Sequence, residues 1–295
     1  MRKFDYQKVV TLEEALDALS NSKGTSFFMA GGTDLLVKIK EGVIRPRRVI
    51  DLKGIPEMVG FSISKDHISI GALTTIRTLE SSPELRQKVP LLAQASAKLG
   101  SVQVRNRATL GGNLCNGAPS AETAPALLAL DARAEIYGKG GRRLVDLRDF
   151  FLGPGSTILE KGELLTSLKI PLTGKPHGAV YYKLATRKAM DIAFVGVAVL
   201  LEIDEDNRIS KARIALGAVA PTPIRALSAE KVLEGRHPDA ETLRESAELA
   251  ARSSRPISDL RAGADYRREM VKGLCQRGLQ EAYGRAKTLK EDANE

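Results

Sequence analysis

At 295 residues, with 43% hydrophobic and 27% charged residues, the chain has the make-up of a globular protein of one large domain or two ordinary ones. No stretch approaches the roughly 18 uncharged apolar residues of a membrane span, and Met1-Arg2-Lys3-Phe4-Asp5-Tyr6-Gln7-Lys8 lacks the apolar core of a secretion signal. A cytoplasmic protein with no membrane span is therefore expected. The net charge of +9 permits attraction to anions, but only 4% of residues are aromatic and the basic ones are dispersed, so no nucleic-acid partner is expected.

In chain order, Thr11-Leu12-Glu13-Glu14 is a capping box that starts a helix with Leu12, Ala15, Leu16 and Leu19 on its apolar face. A turn over 21–24 leads to a strand at 26–30 and the first of two glycine pairs, and 49–52 reads as another strand. Alternation over 61–64 and 67–70 predicts a hairpin. Thr74 and Thr75 are placed to cap a short helix, Pro83 and Pro90 suit the first turns of two more, and Gly100 closes the second of these. The stretch 101–107 feeds the second glycine pair, after which Ser120 can cap a helix through Ala124, Leu127, Leu128 and Leu130. Strands are expected near 134–137 and 164–170, and the Pro/Gly cluster over 171–178 marks a boundary. Beyond it, strands at 179–184, 194–203 and 209–220 precede helices at 229–233, 240–252 and 266–285. That order predicts an α+β domain with a three-stranded antiparallel sheet, and the polar tail over 288–295 is expected to fray.

Cys115 and Cys275 are the only cysteines, too few for an iron–sulfur cluster or a four-cysteine zinc site. Cys275 falls on an apolar helical stripe with Val271, Leu274, Leu279 and Ala282, and reads as a packing residue. Cys115, beside the second glycine pair, reads as packing too, with a redox role as the alternative. His67, His177 and His237 are scattered, so no metal site is expected.

The two glycine pairs carry the most information. Phe28-Met29-Ala30-Gly31-Gly32-Thr33-Asp34-Leu35 and Ala108-Thr109-Leu110-Gly111-Gly112-Asn113 each follow an apolar run. Glycine reaches conformations closed to other residues and lets a ligand approach the main chain. Successive exposed N–H groups in such bends make an anion site without a cationic side chain, so two of them could grip a diphosphate from both sides. Neither pair is GxGxxG, and no Lys-Ser/Thr follows either, which excludes the Rossmann fingerprint and the P-loop. Glu122 stands where a carboxylate can accept from ligand hydroxyls.

Ala30-Gly31-Gly32-Thr33-Asp34-Leu35-Leu36 and the run TLGGNLCNGAPSAETAPALLALDA over 109–132 resemble the FAD-binding subunits of molybdenum hydroxylases, which serve xanthine, carbon monoxide, aldehyde and 4-hydroxybenzoyl-CoA oxidoreductases. Two later segments agree: Lys183-Leu184-Ala185-Thr186-Arg187-Lys188-Ala189-Met190-Asp191-Ile192-Ala193 and Gly217-Ala218-Val219-Ala220-Pro221-Thr222-Pro223-Ile224-Arg225. The likeness spans nearly the whole chain and is nearest to bacterial xanthine dehydrogenase flavin subunits and carbon monoxide dehydrogenase medium subunits. It implies an FAD-binding domain of the vanillyl-alcohol-oxidase (PCMH) type over 1–173, in subdomains of about 1–55 and 56–173, and a carbon monoxide dehydrogenase flavoprotein C-terminal-like domain over 178–287.

The resemblance also implies site roles. Phe28, Met29, Ala30, Gly31, Gly32, Thr33, Asp34 and Leu35 would wrap the FAD diphosphate, with the amides of Gly31, Gly32 and Thr33 as donors. Ala108, Thr109, Gly111, Gly112 and Asn113 would supply the opposing loop. Leu99 and Gly100 would approach the flavin or diphosphate, Leu165 would line the pocket, and Glu122 would bind FAD hydroxyls. Lys183 would lie near the isoalloxazine and tune it; the alternative is a surface lysine at a strand end. Asp191 would order its loop or help gate an electron acceptor. A family branch with a cysteine-rich loop for a [4Fe-4S] cluster is not expected, because residues 122–171 hold no cysteine. The implied function is the FAD-carrying electron-transfer subunit of a heterotrimer. A molybdopterin-containing large subunit oxidises substrate, a [2Fe-2S] small subunit relays electrons, and NAD+ or another acceptor receives them. No catalytic acid, base or nucleophile is expected in this chain. The rival readings are a stand-alone FAD oxidoreductase of the same fold and a basic anion- or nucleic-acid-binding module.

Overall fold

The computed structural model describes residues 3–21, 24–172, 175 and 177–294. Ser22 and Lys23 of the expected turn, and Thr173, Gly174 and Pro176 of the expected boundary, lie outside the described residues.

The chain opens with β1 (Asp5–Lys8), α1 (Leu12–Ser20), β2 (Ser26–Met29), α2 (Leu35–Lys40) and β3 (Arg48–Asp51). These strands form a parallel sheet in the order β1-β3-β2. Thr11 caps α1, its Oγ1 accepting from Glu14 N at 3.1 Å while Glu14 Oε2 accepts from Val10 N at 2.8 Å. β1 went unread in the sequence because Asp5-Tyr6-Gln7-Lys8 is a mostly exposed polar edge whose order comes from pairing with β3.

Next come β4 (Phe61–Ile63), β5 (His67–Gly71), α3 (Ile76–Ser81), α4 (Pro83–Lys88), α5 (Pro90–Ala97), α6 (Val102–Arg105), α7 (Leu110–Cys115) and α8 (Thr123–Ala129). Then follow β6 (Arg133–Gly138), β7 (Gly141–Asp146), β8 (Phe151–Gly153), β9 (Ser156–Thr157) and β10 (Leu164–Pro171). β4-β5-β10-β6-β7 is an antiparallel sheet, and β8 and β9 pair separately. The predicted hairpin is β4–β5. Thr75, not Thr74, caps α3; the Thr74 hydroxyl donates to Gly60 O at 2.7 Å. Ser120 does not cap α8, which begins after Glu122 without a side-chain cap.

The remainder is β11 (His177–Leu184), β12 (Val195–Ile203), β13 (Ile209–Gly217), β14 (Ile224–Arg225), α9 (Leu227–Lys231), α10 (Ala240–Ser253) and α11 (Ala264–Asn294). The expected three-stranded antiparallel sheet has four strands, β11-β12-β13-β14. The fourth is two residues long and follows a Pro-Thr-Pro run, so no alternation could reveal it. Over 288–294 the chain is helical rather than frayed, as the end of α11.

All nine residues of β12 are buried, because both faces of the sheet are covered. Ala198 and Leu200 join the core shared with α5 and α8, whereas Val197, Val199 and Leu201 join the one shared with α9, α10 and α11. The period of two distributes successive side chains to the two cores. Gly217 allows close contact, since a Cβ there would lie 2.7 Å from Pro125 Cγ, and Ala218 N donates to Pro119 O at 2.7 Å.

Asp131 fastens the end of α8 to this sheet. Its carboxylate accepts from Arg225 at 2.7 Å, Arg213 at 3.0 Å and Lys211 at 3.0 Å. Burial works to raise this carboxyl, but the three cations outweigh it and hold it at about 2. The unfolded value is about 3.9, so the folded value is depressed. The stabilisation is complete above about pH 4 and is lost as pH falls toward about 2. Asp131→Asn is expected to lose about 2 kcal/mol at neutral pH and about half that at pH 3. Urea unfolding of both proteins at the two pH values checks this, and a loss independent of pH would contradict it. Among the described residues, no helix is long and apolar enough to cross a membrane.

Candidate cofactor site

At Met29 β2 ends, and the chain bends through Ala30, Gly31, Gly32 and Thr33 into α2. Gly32 sits at φ +80°, where side chains are strained. A Cβ on Gly31 would lie 1.9 Å from the carbonyl oxygen of Arg107. The missing side chain thus lets the first bend press on the main chain that leads into the second glycine pair.

The second pair is not a loop. Thr109 caps α7, its Oγ1 accepting from Gly112 N at 3.1 Å, so Gly111 and Gly112 lie in the first helical turn. A Cβ on Gly111 would fall 2.6 Å from Ala72 Cβ. The amides here are committed: Leu110 N donates to Thr74 O at 3.0 Å, Gly111 N to Ala72 O at 2.8 Å and Asn113 N to Thr109 O at 3.0 Å. The expectation of two facing amide nests is corrected accordingly. The second pair presents bare glycine surface and the Asn113 side chain, whose Oδ1 accepts from Thr123 Oγ1 at 2.6 Å and leaves Nδ2 as a donor. In the first bend, no acceptor among the described residues meets the N–H of Gly32 or Thr33.

Between the two lies a cleft of about 740 Å³, a volume suited to a cofactor-sized ligand. Phe28, Ala30, Gly31, Gly32, Thr33, Asp34 and Leu35 line it from one side, and Ala108, Thr109, Gly111, Gly112 and Asn113 from the other. Leu99, Gly100, Glu122 and Leu165 line it as well. Met29 does not; it is buried with Ile39 and Val49. Nor does Lys183, which stands behind the wall with its ammonium donating to Glu122 Oε1 at 2.7 Å, Asp191 O at 2.7 Å and Lys98 O at 3.0 Å. Lys183 thus ties Glu122 to the segment carrying Met190, Asp191 and Ile192, all of which line the cleft.

Burial pushes the Glu122 carboxyl above its ordinary range, against the pull of Lys183. Asp191 lies below the ordinary range, because its carboxylate accepts from the main-chain N–H of Arg187 at 2.7 Å and of Ile192 at 3.0 Å. Arg187 Nε stands 3.8 Å from the same carboxylate, the pairing that the spacing of four suggests. Cys115 lines the cleft, and burial pushes its thiol up to about 12, far from a reactive thiolate.

Two sets of residues at the cleft escaped the sequence reading. Lys53 Nζ donates to Ala30 O at 3.2 Å and to Asp51 Oδ1 at 2.5 Å, and Asp51 also accepts from the Tyr6 hydroxyl. This network holds the first bend from behind. At the cleft edge, Lys38 Nζ donates to Asn116 Oδ1 at 2.7 Å, and Asn116 Nδ2 donates to Asp34 Oδ1 at 3.2 Å, joining α2 to the end of α7. Separations of 78 and 82 residues hide these contacts from any local pattern.

Residues 2–173 match the family described as the FAD binding domain in molybdopterin dehydrogenase, and residues 180–282 match the CO dehydrogenase flavoprotein C-terminal domain. The chain is 33% identical over 283 residues to the xanthine dehydrogenase FAD-binding subunit of Escherichia coli O157:H7, covering 95% of this chain and 96% of that one. A solved carbon monoxide dehydrogenase chain from Hydrogenophaga pseudoflava superposes with a TM-score of 0.93 at 34% identity, covering 96% and 98% of the two chains. Quinoline 2-oxidoreductase from Pseudomonas putida 86 superposes at 0.90 with 32% identity, covering 97% and 98%.

Proposed function

We propose a function from one premise: the chain belongs to the FAD-binding family of molybdopterin dehydrogenases. It is an FAD-binding oxidoreductase subunit, and it works as the electron-transfer component between a molybdopterin-containing large subunit with a [2Fe-2S] small subunit and a terminal acceptor such as NAD+. The complex is cytoplasmic. Two cysteines cannot supply the four ligands of an iron–sulfur cluster, so the clusters belong to a partner.

The cleft between the Gly31-Gly32 bend and the start of α7 carries this reading. FAD, when bound, supplies the electron-transfer chemistry, and the protein contributes position and access. The free amides of Gly32 and Thr33 would hold the diphosphate, and the bare surfaces of Gly111 and Gly112 would let it approach the main chain. Lys53 fixes the bend by its bond to Ala30 O. Leu99, Leu165, Met190 and Ile192 form an apolar part of the lining that would pack against the ring system. Glu122, held by Lys183, presents a carboxylate edge to ligand hydroxyls.

The test is the visible spectrum of the purified chain, with acid-released cofactor run against FAD and FMN, and with its partners co-purified from the native host. Flavin absorption, FAD alone in the extract, and molybdopterin- and iron–sulfur-containing partners are expected. A colourless chain that takes up no added FAD would overturn the reading.

A further inference from the structure

The charges around the cleft are unbalanced in a way that singles out one residue. Among the described residues lining it, Lys38 is the one cation, beside three carboxylates of the same lining, Asp34, Glu122 and Asp191. Each carboxylate has its own partners: Glu122 has Lys183, Asp191 has two main-chain amides, and Asp34 has Asn116 Nδ2. Lys38 does not complete any of these pairs. Its ammonium donates to the neutral Asn116 Oδ1 at 2.7 Å, and among the described residues no carboxylate lies within ion-pair distance of it. A lysine on an exposed helix face ordinarily extends into water. This one is instead drawn across to α7, one turn beyond the bend whose amides are free.

We propose that Lys38 is a cofactor-binding residue, the cation that meets the diphosphate of FAD at the edge of the cleft. The inference rests on the placement of FAD in this cleft proposed above. A dianionic group brought near three carboxylates needs a compensating charge, and main-chain amides supply only partial ones. Asn116 acts as the positioning residue: its carbonyl oxygen orients the ammonium, and its amide group occupies Asp34, which would otherwise compete for the same charge.

The experiment titrates FAD and riboflavin into the flavin-free full-length chain, following flavin fluorescence at low and high salt, for the wild type, Lys38→Gln and Lys38→Arg. Lys38→Gln is expected to bind FAD roughly tenfold more weakly and to lose much of the salt dependence seen in the wild type. Riboflavin, which lacks the diphosphate, is expected to bind both equally, and Lys38→Arg is expected to restore most of the FAD affinity. Unchanged FAD affinity in Lys38→Gln overturns the proposal. So does an equal loss for riboflavin, which would make Lys38 a structural tie between α2 and α7. A wild-type chain that binds no FAD overturns the reading of the cleft itself, and is distinguishable because it precedes any effect of the variant.

Discussion

Gly31→Ala is expected to yield a folded chain that purifies without FAD. The added Cβ would lie 1.9 Å from the carbonyl oxygen of Arg107 and 2.7 Å from its carbonyl carbon, both main-chain atoms that no rotamer change can move. The first bend must then part from the segment leading into α7, and the two walls of the cleft separate together. Overpacking of this kind costs about 1–3 kcal/mol of stability, and on the proposed placement the displaced amides of Gly32 and Thr33 would no longer reach the diphosphate. Gly140→Ala is the control, because nothing lies within 4 Å of a Cβ there. Circular dichroism, thermal unfolding and the ratio of flavin to protein absorbance distinguish the two. Stoichiometric FAD in Gly31→Ala would show that the contact between the bends does not shape the site.

Lys183→Met is expected to be the more destabilising change. Lys183 and Glu122 are both nearly inaccessible, with side-chain exposures of 7% and 10%, so the variant strands a buried carboxylate. Removing one partner of such a pair costs about 3–5 kcal/mol. Methionine keeps most of the apolar stem, which isolates the loss of the ammonium. The sign of the pH dependence follows from Glu122, whose carboxyl burial already pushes up. Without Lys183 it rises further, so protonated Glu122 is tolerated at low pH. Stability then declines as pH rises from the unfolded carboxylate value through the raised folded one. The deficit against wild type is expected to be smaller at pH 5 than at pH 8 in urea unfolding. Glu122→Gln added to Lys183→Met removes the stranded charge and is expected to recover part of the loss. A deficit below about 1 kcal/mol, typical of an exposed pair, or one flat with pH, contradicts the buried-pair account.

The features legible in the sequence are those that local chemistry writes into a few adjacent residues. The Thr11 cap, the hairpin of β4 and β5, the proline-started helices α4 and α5, and the two glycine pairs all fall in this class. The resemblance named eighteen site residues, and sixteen of them line one cleft. What stayed hidden depends on distant partners. The amides of the second glycine pair look free in sequence, yet Ala72 O, from the far side of α3 to α6, takes that of Gly111 and Thr109 Oγ1 takes that of Gly112. Lys183 reads as a cation for the flavin until Glu122, 61 residues away, takes its charge. Nothing local in the sequence marks Lys38; its bond to Asn116, 78 residues away, places it at the cleft edge. Strands β1, β9 and β14 are short or polar, and pairing alone defines them.

The most direct measurement is a crystal structure of the chain with FAD. The diphosphate is expected against the amides of Gly32 and Thr33, with the glycine face of α7 opposite and the isoalloxazine toward Leu165 and Ile192. Flavin bound elsewhere, or a diphosphate with no contact to the Gly31-Gly32 bend, would contradict the account.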